Sequence, residues 1–254
     1  MKYPYALQLY SVRDKFQEDV GRALEAVKAA GFDCVELAGT YGLSPEALNA
    51  RLERAGLKAV SMHVGYAELV ADPAAAADAA DIFGLTEAVV PWLGGDTCAD
   101  RSEWVAAARA MDAVGAKLRE RGVRLSYHNH DHEFAQMDGA TIFDLIYANS
   151  APEHLALQLD TCWSTVGGAD TPALLARYAG RVAQIHVKDC KPFESGTKPV
   201  LTELGRGTMD WSRVLPAAKA AGASWYIVEQ DESETDSMES AAVNAAFMAA
   251  CNQE

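Results

Sequence analysis

Basic residues are in short supply in this 254-residue chain. Twenty-two Lys and Arg stand against 36 Asp and Glu, a net charge of −14 at pH 7. Binding to nucleic acid or anionic lipid relies on Lys and Arg neutralising phosphates, so the deficit argues against both partners and for small molecules. No stretch approaches the roughly 20 apolar residues that a membrane-spanning helix needs. The opening MKYPYALQLYSVRD has no apolar run followed by a small-residue cleavage site, so no signal peptide is expected. Cysteine is sparse: Cys34, Cys98, Cys162, Cys190 and Cys251 are odd in number, scattered, and include no CxxC pair. That argues against a disulfide scaffold or a Cys-type zinc site and for reduced thiols in a cytoplasmic protein. No Ser/Gly/Pro-rich linker divides the chain, and no GxGxxG follows the first apolar run.

What is present is a rhythm. Half the residues are hydrophobic, and short apolar runs alternate with Ala-rich amphipathic segments. Strands are expected at 5–10, 34–39, 58–64, 87–93, 123–129, 155–160, 181–189 and 224–231. Helices are expected at 19–31, 44–56, 72–84, roughly 101–121, 141–149, from about 170, at 209–222 and at 237–251. Ser44 reads as an N-cap, Pro45 as a first helical position and Gly56 as a terminator. Eight strands in strict alternation with helices imply parallel pairing with right-handed crossovers. Eight is also the count that closes a (β/α)8 TIM barrel, which takes about 250 residues. The expectation is an α/β fold in which residues 1–254 form a single barrel domain; a doubly wound open sheet is the alternative.

Chemistry in such a barrel lies at the C-terminal strand ends. Those positions carry Gln8 and Tyr10, Glu36, His63, Trp92, His128 and His130, Asp160, His186 and Lys188, and Glu229. The segment YHNHDHEF (127–134) alone holds three of the six histidines. Imidazoles and carboxylates are costly to bury unless paired, hydrogen-bonded or ligating a metal. His128, Asp160, His186 and Glu229 make a mixed N/O set that suits Mn2+, Co2+, Fe2+ or Zn2+ better than thiolate-loving ions. Each has a plainer reading alone: Asp160 in LQLDTCWS also fits an N-cap, and a strand-end His is often only hydrogen-bonded. Four successive strands ending this way are harder to assign to unrelated structural causes. His154, before strand six, reads as structural, and His132 as loop or surface.

Taken in order, LQLYSVRD, YHNHDHEF, LQLDTCW, IHVKD, LGRGTMDW and YIVEQD resemble the xylose-isomerase-like TIM barrels, sugar phosphate isomerases/epimerases in the branch of inosose dehydratases and keto-sugar epimerases. The resemblance implies one divalent metal (Mg2+ joins the four ions above) held by residues on strands five to eight. Asp160, His186 and Glu229 match three of the ligands. On strand five His128 stands where the epimerases have a glutamate that is also an acid/base carboxylate, so the acid/base pairing is open among His128, His130 and Glu133. The implied reaction is proton abstraction next to a carbonyl of a keto-sugar through an enediolate, with dehydration of an inosose-type substrate, or binding without turnover, as alternatives. Glu229 is then ligand and base. The resemblance implies that His63 lies near substrate and that Arg206 contacts it from the loop ELGRG (203–207); Gln8, Glu36, Trp163 and Lys188 are further expected substrate contacts. Lys188 has a plainer reading too, as an ion-pair partner of Asp189 or Glu229. The expected partner is a small sugar or cyclitol; a homo-oligomer is left open.

Overall fold

The computed structural model describes residues 2–94 and 98–253. Eight parallel strands close into a barrel: β1 (Tyr5–Gln8), β2 (Cys34–Leu37), β3 (Lys58–His63), β4 (Glu87–Val90), β5 (Arg124–His128), β6 (Leu155–Asp160), β7 (Val182–Val187) and β8 (Trp225–Val228). Each pairs with its chain neighbours, and β1 pairs with β8 to complete the ring. The open-sheet alternative is thereby excluded.

Helices form where caps and periodicity place them. Asp19, Ser44, Asp72 and Asp100 each accept a backbone N–H of the first helical turn. Asp100 and Glu103 cap one another reciprocally at the start of Arg101–Glu120. Gly56 takes a φ of 71°, the left-handed conformation that ends Pro45–Ala55 and that a side chain would strain. The closing helix spans Ser237–Cys251. Two short helices, Tyr66–Ala71 and Thr161–Val166, lie in loops that sequence periodicity did not resolve. The five cysteines form no disulfide.

Strand β1 is shorter than expected, because Gln8 accepts the Tyr10 amide and turns the chain into the 3-10 segment Leu9–Val12. β4 and β8 also stop early, at Val90 and Val228. Apolar side chains fill the layer between barrel and helices; Phe32, Leu125, Leu157, Ile185 and Val228 are fully buried. Inside the barrel the pattern is polar. With a period of two, the residues two positions before His63, His128, Asp160 and His186 are Ser61, Ser126, Gln158 and Gln184, all buried. They form a polar layer directly beneath the strand ends.

Candidate metal centre

Glu36 anchors that layer. It is wholly buried, and Gln8 Nε2 donates to its Oε1 at 2.7 Å while Ser61 Oγ and Gln158 Nε2 donate to Oε2, each at 2.6 Å. His186 Nε2 and His63 Nε2 lie 2.7 and 3.0 Å from Oε1. Gln158 also donates to Gln184 Oε1 at 2.7 Å. With its amide nitrogen so committed, Gln158 has only its carbonyl oxygen to offer the histidines, and that oxygen lies 3.1 Å from both His128 Nδ1 and His63 Nε2. His128 therefore carries its proton on Nδ1 and leaves Nε2 bare, the tautomer a metal ligand requires.

Above this layer, His128, Asp160, His186 and Glu229 place one ligand-type atom each within 4.8 Å of one another, all buried. The arrangement follows from register: Asp160 pairs with His186, and His128 with Gln158, two residues before Asp160. Asp160 has both roles open in its sequence. Its Oδ1 caps Thr161–Val166 through the Trp163 amide at 2.7 Å, while Oδ2 is buried and accepts no aligned hydrogen bond. Lys188 Nζ lies 3.0 Å from that Oδ2 and 2.8 Å from Glu229 Oε2, so the interaction at Asp160 is Coulombic rather than directional. Two imidazoles and two carboxylates, one with an orphaned oxygen, fit a single divalent ion of the Mn2+ to Zn2+ group.

Charge in the cluster is strongly skewed. Burial opposes ionisation of Glu229, yet Lys188 and His186 hold it well below the usual carboxylate range. Burial would lower His186, but Glu229 and Glu36, one at each ring nitrogen, raise it to about 10. His128 is pushed well down by burial and by its cationic neighbours, His186 first. Burial, with Lys188, drives His130 to about 3.

A cavity of about 430 Å3 opens beside the cluster, lined by Tyr10, Trp92, His63, His130, Trp163, Glu229 and Asp231 among others. Several expected site residues lie elsewhere. Glu133 does not reach the cavity: it is buried, accepts from the Tyr127 hydroxyl, and takes the His130 amide at 2.8 Å, so it braces the loop after β5. His130 lines the cavity with its Nδ1 unpartnered. Gln8 and Glu36 sit beneath the ligand-type residues, outside the cavity lining. Arg206 is exposed and pairs with Glu203 at 3.3 Å, outside the cavity lining. Its loop is held instead by Asp189, which accepts the amides of Gly205, Gly207 and Met209 and the Trp211 indole N–H. Lys188 pairs with Glu229 at 2.8 Å and not with Asp189. His132 is partly buried and bonds Leu93 O at 2.7 Å; His154 bonds Asp112 at 3.1 Å.

Sequence reading missed Asp231, whose two oxygens lie 2.9 and 3.1 Å from Lys188 Nζ, and Arg13, which donates to Asp231 O at 2.6 Å and stacks 4.0 Å from the Tyr10 ring. Asp231 is two residues past Glu229 in VEQD, so strand alternation was the available signal. It also missed the Gln158–Gln184 layer, legible as polar residues alternating with Asp160 and His186 in LQLD and QIHVK.

The model of the xylose isomerase-like TIM barrel family matches residues 24–251. An inosose dehydratase of Lacticaseibacillus casei is 26% identical over 144 residues, 51% of this chain and 48% of that protein, so the chain spans about half the length of that curated relative. Among solved structures, a sugar phosphate isomerase/epimerase from Parabacteroides distasonis ATCC 8503 superposes with a TM-score of 0.85 at 20% identity, covering 97% of this chain and 98% of that one. The IOLI protein with a binding zinc atom gives 0.75 at 14% identity, covering 97% of each. At these identities the two structures share the fold.

Proposed function

The chain belongs to the xylose isomerase-like TIM barrel family, and from that premise we propose that it is a metal-dependent isomerase or epimerase of a keto-sugar or related polyol, acting by proton abstraction next to a carbonyl. The observation that carries this is the buried quartet His128, Asp160, His186 and Glu229, of which His128 and Glu229 line a cavity of sugar-accepting size and Asp160 Oδ2 accepts no aligned hydrogen bond. Those four residues would hold the ion. When bound, it would polarise the substrate carbonyl and stabilise charge developing on its oxygen.

The protein's own groups supply the rest. Glu229 lines the cavity, and its contacts with His186 and Lys188 both fall on Oε2. Its other oxygen is the one available to accept a carbon-bound proton. His63 also lines the cavity, its Nε2 held by Glu36 and Gln158, and is assigned the second acid/base role. Trp163 offers an apolar ring face, and Trp92 and Tyr10, both well exposed, flank the entrance.

The test is solvent exchange. Protein loaded with Mn2+ or Co2+ should incorporate deuterium beside the carbonyl of a keto-hexose or inosose, and the product should show an altered stereocentre or a moved carbonyl. No exchange across free and phosphorylated ketoses and inososes would end this reading. The second reading, a dehydratase, is favoured by the similarity to inosose dehydratase, and loss of water from the exchanged substrate would select it.

A further inference from the structure

Lys188 is 1% exposed, and its ammonium lies among three carboxylates: Asp160 Oδ2 at 3.0 Å, Glu229 Oε2 at 2.8 Å, and Asp231 Oδ1 at 2.9 Å. Two of the three belong to the quartet suited to a divalent ion, and Asp231 does not. A metal–oxygen bond of about 2.0–2.2 Å would bring the ion onto the same oxygens that Lys188 contacts. Two cations sharing those oxygens in a water-poor interior would repel strongly. We propose that Lys188 and the divalent ion are alternative counter-charges for Asp160 and Glu229, and that Asp231 keeps Lys188 when the ion is bound.

The surroundings give the lysine somewhere to go. Asp231 already engages it through both oxygens, and the Trp163 ring centroid is 5.4 Å from Nζ. Both residues line the cavity, whereas Lys188 itself does not. An ammonium drawn off Asp160 and Glu229 toward this pair stays charge-compensated and turns toward the substrate. Ion loading thus presents a buried lysine to a substrate oxygen, so Lys188 competes with the ion first and contacts substrate only afterwards. The proposal rests on the metal site of the preceding section and is independent of which reaction follows.

The test is metal affinity, measured by chelator competition with Mn2+ on metal-stripped protein, without reference to turnover. Lys188→Met should bind Mn2+ tighter by roughly tenfold or more, because the competing counter-charge is gone. Removing Lys188 leaves three carboxylates uncompensated and endangers folding, so the same comparison is made in a second background. Lys188→Met/Asp231→Asn should bind tighter than Asp231→Asn alone, and Asp231→Asn should bind more weakly than wild type. Lys191→Met, which removes an exposed lysine paired with Glu234, is the control for bulk charge and should stay within about twofold. Equal or weaker binding by the Lys188 variants in both backgrounds overturns the proposal, as does an equal gain from Lys191→Met. If wild type and variants all fail to bind, the metal site itself falls and the proposal with it.

Discussion

The two halves of the barrel mouth are built from similar residue types and do different work. Strands β1 to β3 contribute Gln8, Glu36, Ser61 and His63, and their one carboxylate, Glu36, has both oxygens saturated by neighbours. Strands β5 to β8 contribute His128, Asp160, His186 and Glu229, and here one carboxylate oxygen is left without a hydrogen bond. Burial alone does not separate them, since Glu36 and Asp160 are both at 0% exposure. Hydrogen bonding does: a carboxylate that accepts hydrogen bonds at both oxygens braces its neighbours, while Asp160 Oδ2 meets only the charge of Lys188 at 3.0 Å, which an ion could replace.

The sharpest way to break that contrast is to remove the charge from one carboxylate in each half. Glu229→Gln removes the proposed ligand and proton acceptor together, so metal-dependent exchange should fall by on the order of 10²–10⁴ while the fold persists. Thermal melting and deuterium incorporation on one preparation check both halves of the statement. Exchange at wild-type rate would remove Glu229 from the chemistry.

Glu36→Leu attacks the saturated half, and its cost should appear as stability. It strips partners from Gln8, Ser61, Gln158 and the cationic His186 at once, and breaking a buried charge pair from one side costs about 3–5 kcal/mol. Urea unfolding of metal-free protein measures it. A Glu36→Leu protein as stable as wild type would show that the network beneath the ligands is dispensable.

A third carboxylate sharpens the comparison from the opposite end of the barrel. Glu87, at the start of β4, is held by Ser126 and by Arg124 at 2.6 Å, yet burial outweighs them and raises it from 4.5 to about 7. A folded-state value above the unfolded one gives stability fully present below pH 4.5 and lost as pH rises through about 7, up to about 3 kcal/mol in all. Glu87→Gln should remove that slope. Unfolding midpoints between pH 4.5 and 8 for the two proteins should diverge with pH; parallel curves would mean that Glu87 is ionised throughout.

The barrel was legible because parallel strands buried on both faces read as short apolar runs, and caps such as Ser44 and Asp19 mark helix starts locally. Three of the quartet were legible from residue type at strand ends together with the motifs, and His128 from its strand end alone. What misled was distance along the chain taken as distance in space. Glu133 is only five residues from His128, but Tyr127 and the His130 amide turn it inward under the loop. Alternation after Glu229 puts Asp231 on the same side, but its partner Lys188 lies 43 residues away and only the fold brings the two together. The role of Glu36 likewise depends on barrel closure, which brings β2 against His186, 150 residues on.

Arg206 should give the smallest effect. The motif around it suggested a substrate contact, but its side chain is more than half exposed and, among the described residues, pairs with Glu203 three residues earlier, a surface pair worth about 0–1 kcal/mol. The conformation of its loop does not depend on it, because Asp189 holds the chain on both sides through the amides of Gly205 and Gly207. A Cβ at Gly207 would come within 2.1 Å of Asp189 Oδ1, so the loop is fitted to that carboxylate. Arg206→Ala should therefore leave KM within about twofold and kcat unchanged, since only a contact made with substrate alters binding. Steady-state kinetics on the best exchanged substrate check it. A several-fold rise in KM would mean that the 203–207 loop closes over bound substrate and carries Arg206 to the cavity, which would extend the site beyond the two halves of the mouth compared above.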